Sequence, residues 1–456
     1  MYSDNIFVGL DVNNNYYPTK RKEKIKMLRI LTNLNILVIV VMTLAYFYQL
    51  VYTAVGLIYR NKIPILSESN PHRFAALICA RNESAVIGEL ISSLKKQNYP
   101  SDMLDVYVLA DNCTDDTAEK AEQAGAIVYR RQNKELVGKG YALDYLFDKI
   151  NQKDGIRHYD GYFIFDADNI VDKNFVYEMN KTYSKGFNAI TCYRNSKNFA
   201  HNWITYGYSL WFLHEARFIN YPRMLLGNGC AVSGTGFMVA SSIIDENKGW
   251  PFHLLTEDIQ FSVNCAITGC KIGYCDKAIV YDEQPTTFTQ SWTQRMRWAK
   301  GFYQVDAKYI APLSKGVVTA KGRKMTCYDI LMTVAPVMLF SILFTAFNIL
   351  AATTYFTAPP IIAQIIMART MQFMILTVAS AYLGLFVVGF LTVITEWNRI
   401  YASPLKKFLY LPVFPLFIAT YIPIALVALF MKVDWKPIKH FSCSNVQGSI
   451  KTEGQN

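Results

Sequence analysis

The sequence predicts an α/β domain, with a mostly parallel sheet and helices on both of its faces, inserted between helices of membrane-crossing length. Three observations carry this. Short apolar runs alternate with amphipathic helical patterns between residues 74 and 166, which requires parallel strands joined by right-handed crossovers. Apolar runs at 28–59, 330–356, 371–395 and 408–431 are each long enough to cross a hydrocarbon core of about 30 Å, which takes about 20 helical residues. Phe163-Ile-Phe-Asp-Ala-Asp168 ends a buried strand in two carboxylates one residue apart, at the rim where open α/β sheets bind ligands.

Hydrophobic content of 52% and aromatic content of 14% fit this division, because the excess sits in the apolar runs. The expected organisation is a polar, basic tail (1–27), a transmembrane or interfacial helix (28–59), a soluble domain ending in interfacial helices (60–325), three transmembrane helices (326–432) and a polar tail (433–456). The first run exceeds a signal peptide's core and no small-residue cleavage site follows it, so it reads as retained. Arg399, Lys406 and Lys407 place the 396–407 loop in the cytosol, and with it the soluble domain; the 357–370 loop, with Arg369 alone, falls outside. Lys20, Arg21, Lys22, Lys24, Lys26 and Arg29 oppose a single crossing at 28–59. A tight hairpin or an interfacial helix would reconcile the two signals.

Nine cysteines include no Cys-x-x-Cys pair. Cys265, Cys270 and Cys275 are evenly spaced but have no nearby His, so they read as reduced structural thiols rather than a metal site. The net charge of +11 suits anionic headgroups and an anionic substrate. With no basic-aromatic sheet motif and no Arg-rich arm, nucleic acid is not an expected partner.

Residues 1–19 are polar and read as weakly ordered. Phe74 to Ala80 is a buried strand running into Arg81-Asn82-Glu83-Ser84, and Val86, Ile87, Leu90, Ile91 and Leu94 share one helical face up to Asn98-Tyr-Pro100. Asp105 to Ala110 is a second strand ending at Asp111, with a helix from Thr117. Ala126 to Tyr129 is a third strand. Gly138-Lys139-Gly140 precedes a helix over 141–150, and Tyr162 to Phe165 is the fourth strand. No Gly-x-Gly-x-x-Gly opens the first helix, which disfavours a dehydrogenase-type dinucleotide fold.

These strand-end motifs resemble the nucleotide-sugar half of family-2 inverting glycosyltransferases, whose fold is called GT-A. Gly227 to Phe237 resembles that family's Gly-rich acceptor-side segment, and Thr256-Glu257-Asp258 its Thr-Glu-Asp motif. Gln294-Arg-Met-Arg-Trp298 matches the Gln-x-x-Arg-Trp signature of the processive cellulose, chitin and hyaluronan synthases. The resemblance covers about residues 73–305. It implies transfer of a sugar from a UDP-sugar.

Displacing a nucleoside diphosphate from an anomeric carbon needs the leaving group neutralised, the attacking hydroxyl deprotonated and the acceptor held in line. Asp168, with Asp166 beside it, suits Mg²⁺ or Mn²⁺, since such ions bind through one or two carboxylates plus substrate phosphates. Asp166 also faces the nucleoside end. The competing reading is a strand-terminal turn with solvated acids. By the resemblance, Asp111 and Lys139 contact uracil or diphosphate, and Ala80, Arg81, Asn82 and Glu83 line the same pocket; Asp111 also reads as a turn residue. Asp258 is the expected general base, in a motif with Glu257 and Thr256. The alternative is that Thr256 caps a helix whose dipole the two acids complement. Gln294, Arg295 and Arg297 are assigned to the donor and Trp298 to the acceptor, against the alternative of an interfacial amphipathic helix. Ser233, Gly234 and Thr235 approach the acceptor or form a simple turn. Trp203, Trp211 and Phe212 build a surface that packs on membrane helices, and His214 is a packed residue rather than a base.

Two departures from the family stand out. Gly316 to Lys321 keeps Val318, Thr319 and Lys321 of a cellulose-synthase gating segment but lies only about twenty residues beyond Trp298, as an early gate or a chance match. Only a short polar tail follows Met431, so control by cyclic dinucleotide is not expected. The expected enzyme is a multi-pass plasma-membrane polysaccharide synthase with a cytosolic catalytic domain. It would polymerise a neutral hexose, glucose ahead of N-acetylglucosamine, and pass the chain through its own helices. Its partners are a UDP-sugar, a polysaccharide acceptor, the bilayer and accessory secretion subunits. The alternative is a non-processive enzyme adding one sugar to a lipid.

Overall fold

The computed structural model describes residues 18–59, 69–334, 348–349, 353 and 360–433. Two compact units divide the chain, one of residues 1–46 and 340–380, the other of 47–339 and 381–456. The first unit holds most of α1 (Pro18–Ile58), with Asn35 and Asn348 exchanging buried amide hydrogen bonds at 3.2 Å. The second unit holds the sheet.

Its first strands are β1 (Phe74–Ala80), β2 (Leu104–Asp111), β3 (Ile127–Arg131) and β4 (Gly161–Asp166), separated by α2 (Ile87–Lys95), α3 (Thr117–Gln123) and α4 (Lys139–Asp154). All four strands run parallel, in the order β3-β2-β1-β4. Side chains alternate across the sheet. Phe74, Ala76 and Ile78 pack under α2 with Phe163 and Phe165, while Ala75 and Leu77 pack under α4 with Tyr162 and Ile164. Both faces are therefore covered, and this explains why the strands read as continuous apolar runs.

The second half departs from the parallel rule. β5 (Ile170–Val171) and α5 (Phe175–Tyr183) lead into β6 (Ala189–Ser196), α6 (Trp203–His214), a widened π-type turn over Glu215–Asn220 and α7 (Tyr221–Leu225). Then come β7 (Phe237–Ala240), α8 (Ser241–Glu246), α9 (Glu257–Thr268) and β8 (Ile272–Asp282). β7 runs antiparallel between β4 and β6, and β5 antiparallel to β8. β6 and β8 restore parallel pairing. The eight strands stand in the order β3-β2-β1-β4-β7-β6-β8-β5.

α10 (Phe288–Thr319) and α11 (Lys324–Val334) carry the chain from the sheet toward the apolar helices. These continue as α12 (Pro360–Thr395), α13 (Pro404–Leu409), α14 (Phe414–Ala419) and α15 (Tyr421–Phe430). Three stretches of described residues are long and apolar enough to cross a membrane: Asn33–Ile58, Thr370–Thr395 and Pro404–Phe430. α1 is one unbroken helix of 41 residues, so the hairpin alternative for 28–59 does not hold. Most of the apolar run 330–356, and the side chains of Arg369 and of the basic cluster before Leu28, lie outside the described residues.

Trp203 and Phe212 meet the apolar helices as expected, through Phe417 of α14, whose ring seats on Gly207 where a Cβ would come within 2.3 Å of it. The gate-like segment 316–321 forms the last turn and end of α10. Gly316 lies against Cys327 of α11, where a Cβ would stand 2.7 Å from the sulfur. Ala320 is buried there, while Val318, Thr319 and Lys321, the residues of the match, are exposed. The eight cysteines among the described residues are all free thiols.

Candidate active site

The strand ends of β1, β2 and β4 form one rim. Asn82 and Asn112 both adopt left-handed backbone (φ 58° and 55°), which Asn tolerates. Asn82 Oδ1 accepts from the Thr114 amide at 2.8 Å, the Cys113 thiol donates to the Ala80 carbonyl, and the Glu83 amide donates to Thr117 Oγ1 at 2.9 Å. The 80–83 loop is thereby laced to the 111–117 loop. Asp111 is buried and accepts from Arg131 Nη1 at 2.7 Å. The carboxylate read as a donor contact thus already has a cation, and Arg131 was not foreseen.

At the end of β4, Lys139 donates to the Asp166 carboxylate and, at 2.7 Å, to the Gly234 carbonyl. Burial pushes the Asp166 carboxyl up, but Lys139, with Arg194 and Arg297 behind it, outweighs that and leaves the group below its ordinary value. Of the glycines around Lys139, Gly140 has a packing reason, since a Cβ there would stand 2.1 Å from the Phe252 carbonyl oxygen, and Gly138 a backbone one, its φ of 137°. Thr235 is 2% exposed, accepts from the Asp166 amide at 2.9 Å and donates to Asn169. Its hydroxyl braces the end of β4.

Asp168 is buried, and Oδ2 accepts from the Glu283 amide at 2.9 Å. Next to it Asp282, at the end of β8, pairs with Arg194 of β6 (Nε to Oδ2, 2.7 Å), and Arg194 Nη1 donates to the Ser233 carbonyl at 2.9 Å. Neither Arg194 nor Asp282 was foreseen. The signal was present: 278–281 is an apolar strand ending in Asp-Glu, the same pattern that marked β4.

Asp258 sits in the first turn of α9 with Glu257. Its Oδ2 lies 3.7 Å from where a Gly234 Cβ would stand, which joins it to the Lys139–Asp166 pocket. Burial raises the Asp258 carboxyl above its ordinary value, with Lys139 and Arg194 opposing the shift and Asp166 adding to it. Glu257 is pushed further, to about 7, by burial and by Asp258 beside it. Burial thus holds both adjacent carboxyls above their ordinary range, Glu257 at about 7. Thr256 does not cap α9: its buried Oγ1 has no hydrogen-bond partner. It packs instead on Gly301 of α10, where a Cβ would come within 2.4 Å of its methyl group.

α10 presents the Gln294–Trp298 signature on two faces. Arg297 lies close enough to Asp166 to help keep that carboxyl charged, and its Nε, like Gln294 Oε1, is buried with no hydrogen-bond partner. Trp298 is half-buried, met edge-on by Tyr208 and Phe212. Arg295 points elsewhere. It is 0% exposed, donates to the Phe417 carbonyl (3.1 Å) and Thr420 Oγ1 (2.7 Å), and lies 4.5 Å over the Phe417 ring. Positions 295 and 297 are two apart on a helix and face nearly opposite ways. Through Nη1 Arg295 latches α10 to α14, while its Nε and Nη2 are buried with no hydrogen-bond partner. His214 is buried among Trp211 and Phe218, and burial pulls its pKa down to about 4, so it is a neutral packed residue.

A family model described as "Glycosyltransferase like family 2" matches residues 71–301, which is the sheet, the rim loops and the signature helix together. The chain belongs to glycosyltransferase family 2. Its sheet and rim are those of the GT-A fold that the motifs implied. Among family-2 relatives, a beta-monoglucosyldiacylglycerol synthase of Synechocystis sp. is 30% identical over 234 residues, covering 50% of this chain and 47% of that protein. A poly-beta-1,6-N-acetyl-D-glucosamine synthase of Staphylococcus aureus is 26% identical over 259 residues, covering 54% and 58%. The chain spans about half the length of the curated relatives it matches. A mannosyltransferase from Pyrobaculum calidifontis, solved with GDP-Man and Mn²⁺, aligns with a TM-score of 0.47 at 15% identity, over 86% of this chain and 99% of that one.

In this family-2 pocket the two signature arginines separate experimentally. Arg297→Met is expected to weaken UDP binding about tenfold or more, the worth of one charge-assisted contact, with little change in melting temperature. Arg295→Met should do the reverse, lowering the melting temperature by several degrees while UDP affinity holds. Titration calorimetry and thermal unfolding of the two variants check the pair.

Proposed function

We propose that this chain is a membrane-bound, inverting β-glycosyltransferase. It takes a hexose from a UDP-sugar, glucose ahead of N-acetylglucosamine, and extends a polysaccharide that leaves through its own helices. The observation that carries the reading is the convergence of Asp166, Lys139 and Asp258 around Gly234, with the charge of Arg297 acting on the Asp166 carboxyl. In this reading Arg297 and Lys139 hold the diphosphate, Asp258 takes the proton of the attacking hydroxyl, and Arg194 fixes the Ser233–Gly234 backbone beside it. Trp298 walls the acceptor side against α6.

Asp168 and Asp166 are the residues that would hold Mg²⁺ or Mn²⁺. Among the described residues no cluster of three or more His, Cys, Asp or Glu forms a full cage, and two hard carboxylates suit an ion that shares a substrate's phosphates. When bound, such an ion neutralises charge on the departing diphosphate. The catalytic domain is read as cytosolic and the protein as multi-pass in the plasma membrane, on the basis of Arg399, Lys406 and Lys407 after α12.

A second reading, one sugar added to a lipid, is favoured by the names of the Synechocystis and Nostoc relatives. Product size separates the two. Purified chain given Mn²⁺ or Mg²⁺ and a panel of UDP-sugars should release UDP and make long chains. A single-sugar lipid adduct would replace the first reading by the second, and no UDP release across the panel would remove both.

A further inference from the structure

A second polar cavity lies away from the active site. It encloses about 180 Å³, roughly ten times the space a single water needs. Tyr193, Arg217, Asp276, Glu396 and Arg399 line it, with exposed Asn398 at its edge. Neighbouring residues of a strand point to opposite faces, and β6 uses this: Arg194 reaches Asp282 and the Ser233 carbonyl, while the Tyr193 hydroxyl donates to Glu396 at 2.8 Å.

The lining is chemically unfinished. Arg217 is 6% exposed, yet its Nε and Nη2 are buried without a hydrogen-bond partner. The nearest acid, Glu396 Oε1, is 3.6 Å from Nε, a charge contact too long for a hydrogen bond. Arg399 stands 3.8 Å from the other Glu396 oxygen. A ligand completing this site must accept hydrogen bonds from guanidinium groups. It must also tolerate two carboxylates, Glu396 and Asp276. A purely anionic group meets the two acids and a purely cationic one the two arginines, so a zwitterion fits best. Two of the three lining tyrosines are already covered, Tyr193 by Arg399 at 4.0 Å and Tyr221 by Arg217 at 4.9 Å, which leaves Tyr274 alone and a single ring makes no cage. A quaternary ammonium therefore finds no open aromatic cage, whereas a primary ammonium can donate directly to the carboxylates.

The position names the source. Glu396 to Arg399 follow directly on α12, whose Thr370–Thr395 stretch is long and apolar enough to cross a membrane and whose last turn exposes Ile394 at 47%. The mouth thus opens at the level of lipid headgroups. We propose that this cavity binds the headgroup of an ethanolamine phospholipid, with the phosphate on Arg217 and Arg399 and the ammonium on Glu396 and Asp276.

The test is thermal unfolding of the full chain in detergent micelles. Separate samples receive phosphatidylethanolamine, phosphatidylcholine, phosphatidylglycerol, soluble O-phosphoethanolamine or inorganic phosphate. Phosphatidylethanolamine should raise the melting temperature by about 2–4 °C over the other two lipids. O-phosphoethanolamine should reproduce part of that rise. Arg217→Met should abolish the difference, and so should Asn398→Trp, which fills the mouth and keeps the buried charges. If Arg217→Met does not fold, Asn398→Trp decides alone. Equal shifts from all three lipids, a response to inorganic phosphate as large as to O-phosphoethanolamine, or an undiminished phosphatidylethanolamine shift in Asn398→Trp would each overturn the proposal.

Discussion

Asp258→Asn is expected to lower turnover by about 10²–10⁴-fold, the usual worth of a positioned general base, while UDP binding stays within a few-fold of wild type. The carboxyl lies beside Gly234, which also carries the carbonyl that Lys139 holds, so its loss removes proton acceptance without emptying the donor side. Its pKa is raised by burial, so the acid limb of the rate profile should fall above the ordinary carboxylate range. The sign follows from the chemistry: a base works only when ionised, so activity is lost as pH drops through that raised value. Glu257 supplies the control. Its carboxyl is held up to about 7 by burial and by Asp258 beside it, so Glu257→Gln replaces it with a side chain that stays neutral throughout. That variant should keep the acid limb and most of the turnover. Stopped-time UDP release across pH 4 to 8 (an assay window of roughly the range over which carboxyl groups and His titrate) measures both. A fully active Asp258→Asn would transfer the role of base elsewhere.

The second large effect is at Lys139. Lys139→Met should weaken UDP binding by about 10–100-fold, because a charge-assisted contact contributes roughly 1.5–3 kcal/mol. It should also change cation binding in the absence of donor. Lys139 holds the Asp166 carboxyl below the usual range against the opposing effect of burial, so without it that carboxyl titrates higher. Binding of Mn²⁺, followed by its electron paramagnetic resonance signal, should then fade at a higher pH than in wild type. The fold should lose little, since the Asp166 side chain is 40% exposed and water screens a charge left there. A Lys139→Met protein with unchanged UDP affinity would exclude that ammonium from the donor site.

How much of this was legible beforehand follows from how far apart the partners lie in the chain. The β1, β2 and β4 ends and their acids were readable because a buried strand and the residue that terminates it are neighbours in sequence. Asp282 carried the same local sign at the end of β8, but its significance depends on Arg194, 88 residues earlier, and on β6 and β8 pairing. The antiparallel β7 was hidden for a similar reason: a four-residue apolar strand has no direction until its neighbours are known. The signature helix shows the limit most sharply. Five consecutive residues suggested one binding cluster, yet the helix turns Arg295 toward Phe417 and leaves Arg297 toward Asp166. Thr256 looked like a cap, and only the absence of a Cβ at Gly301 explains why it faces a helix instead.

That contact has a mechanical consequence. α10 touches the Thr256–Asp258 motif through Gly301 and grips the C-terminal apolar helices through Arg295, so one rod sets the height of Asp258 against both. Under the proposed roles, proton abstraction is thereby calibrated to the lipid-facing scaffold, while the nucleotide rests on strand tips that need no such reference. Solubilising conditions that loosen the bundle would leave an enzyme that still grasps its nucleotide but has lost the alignment to use it.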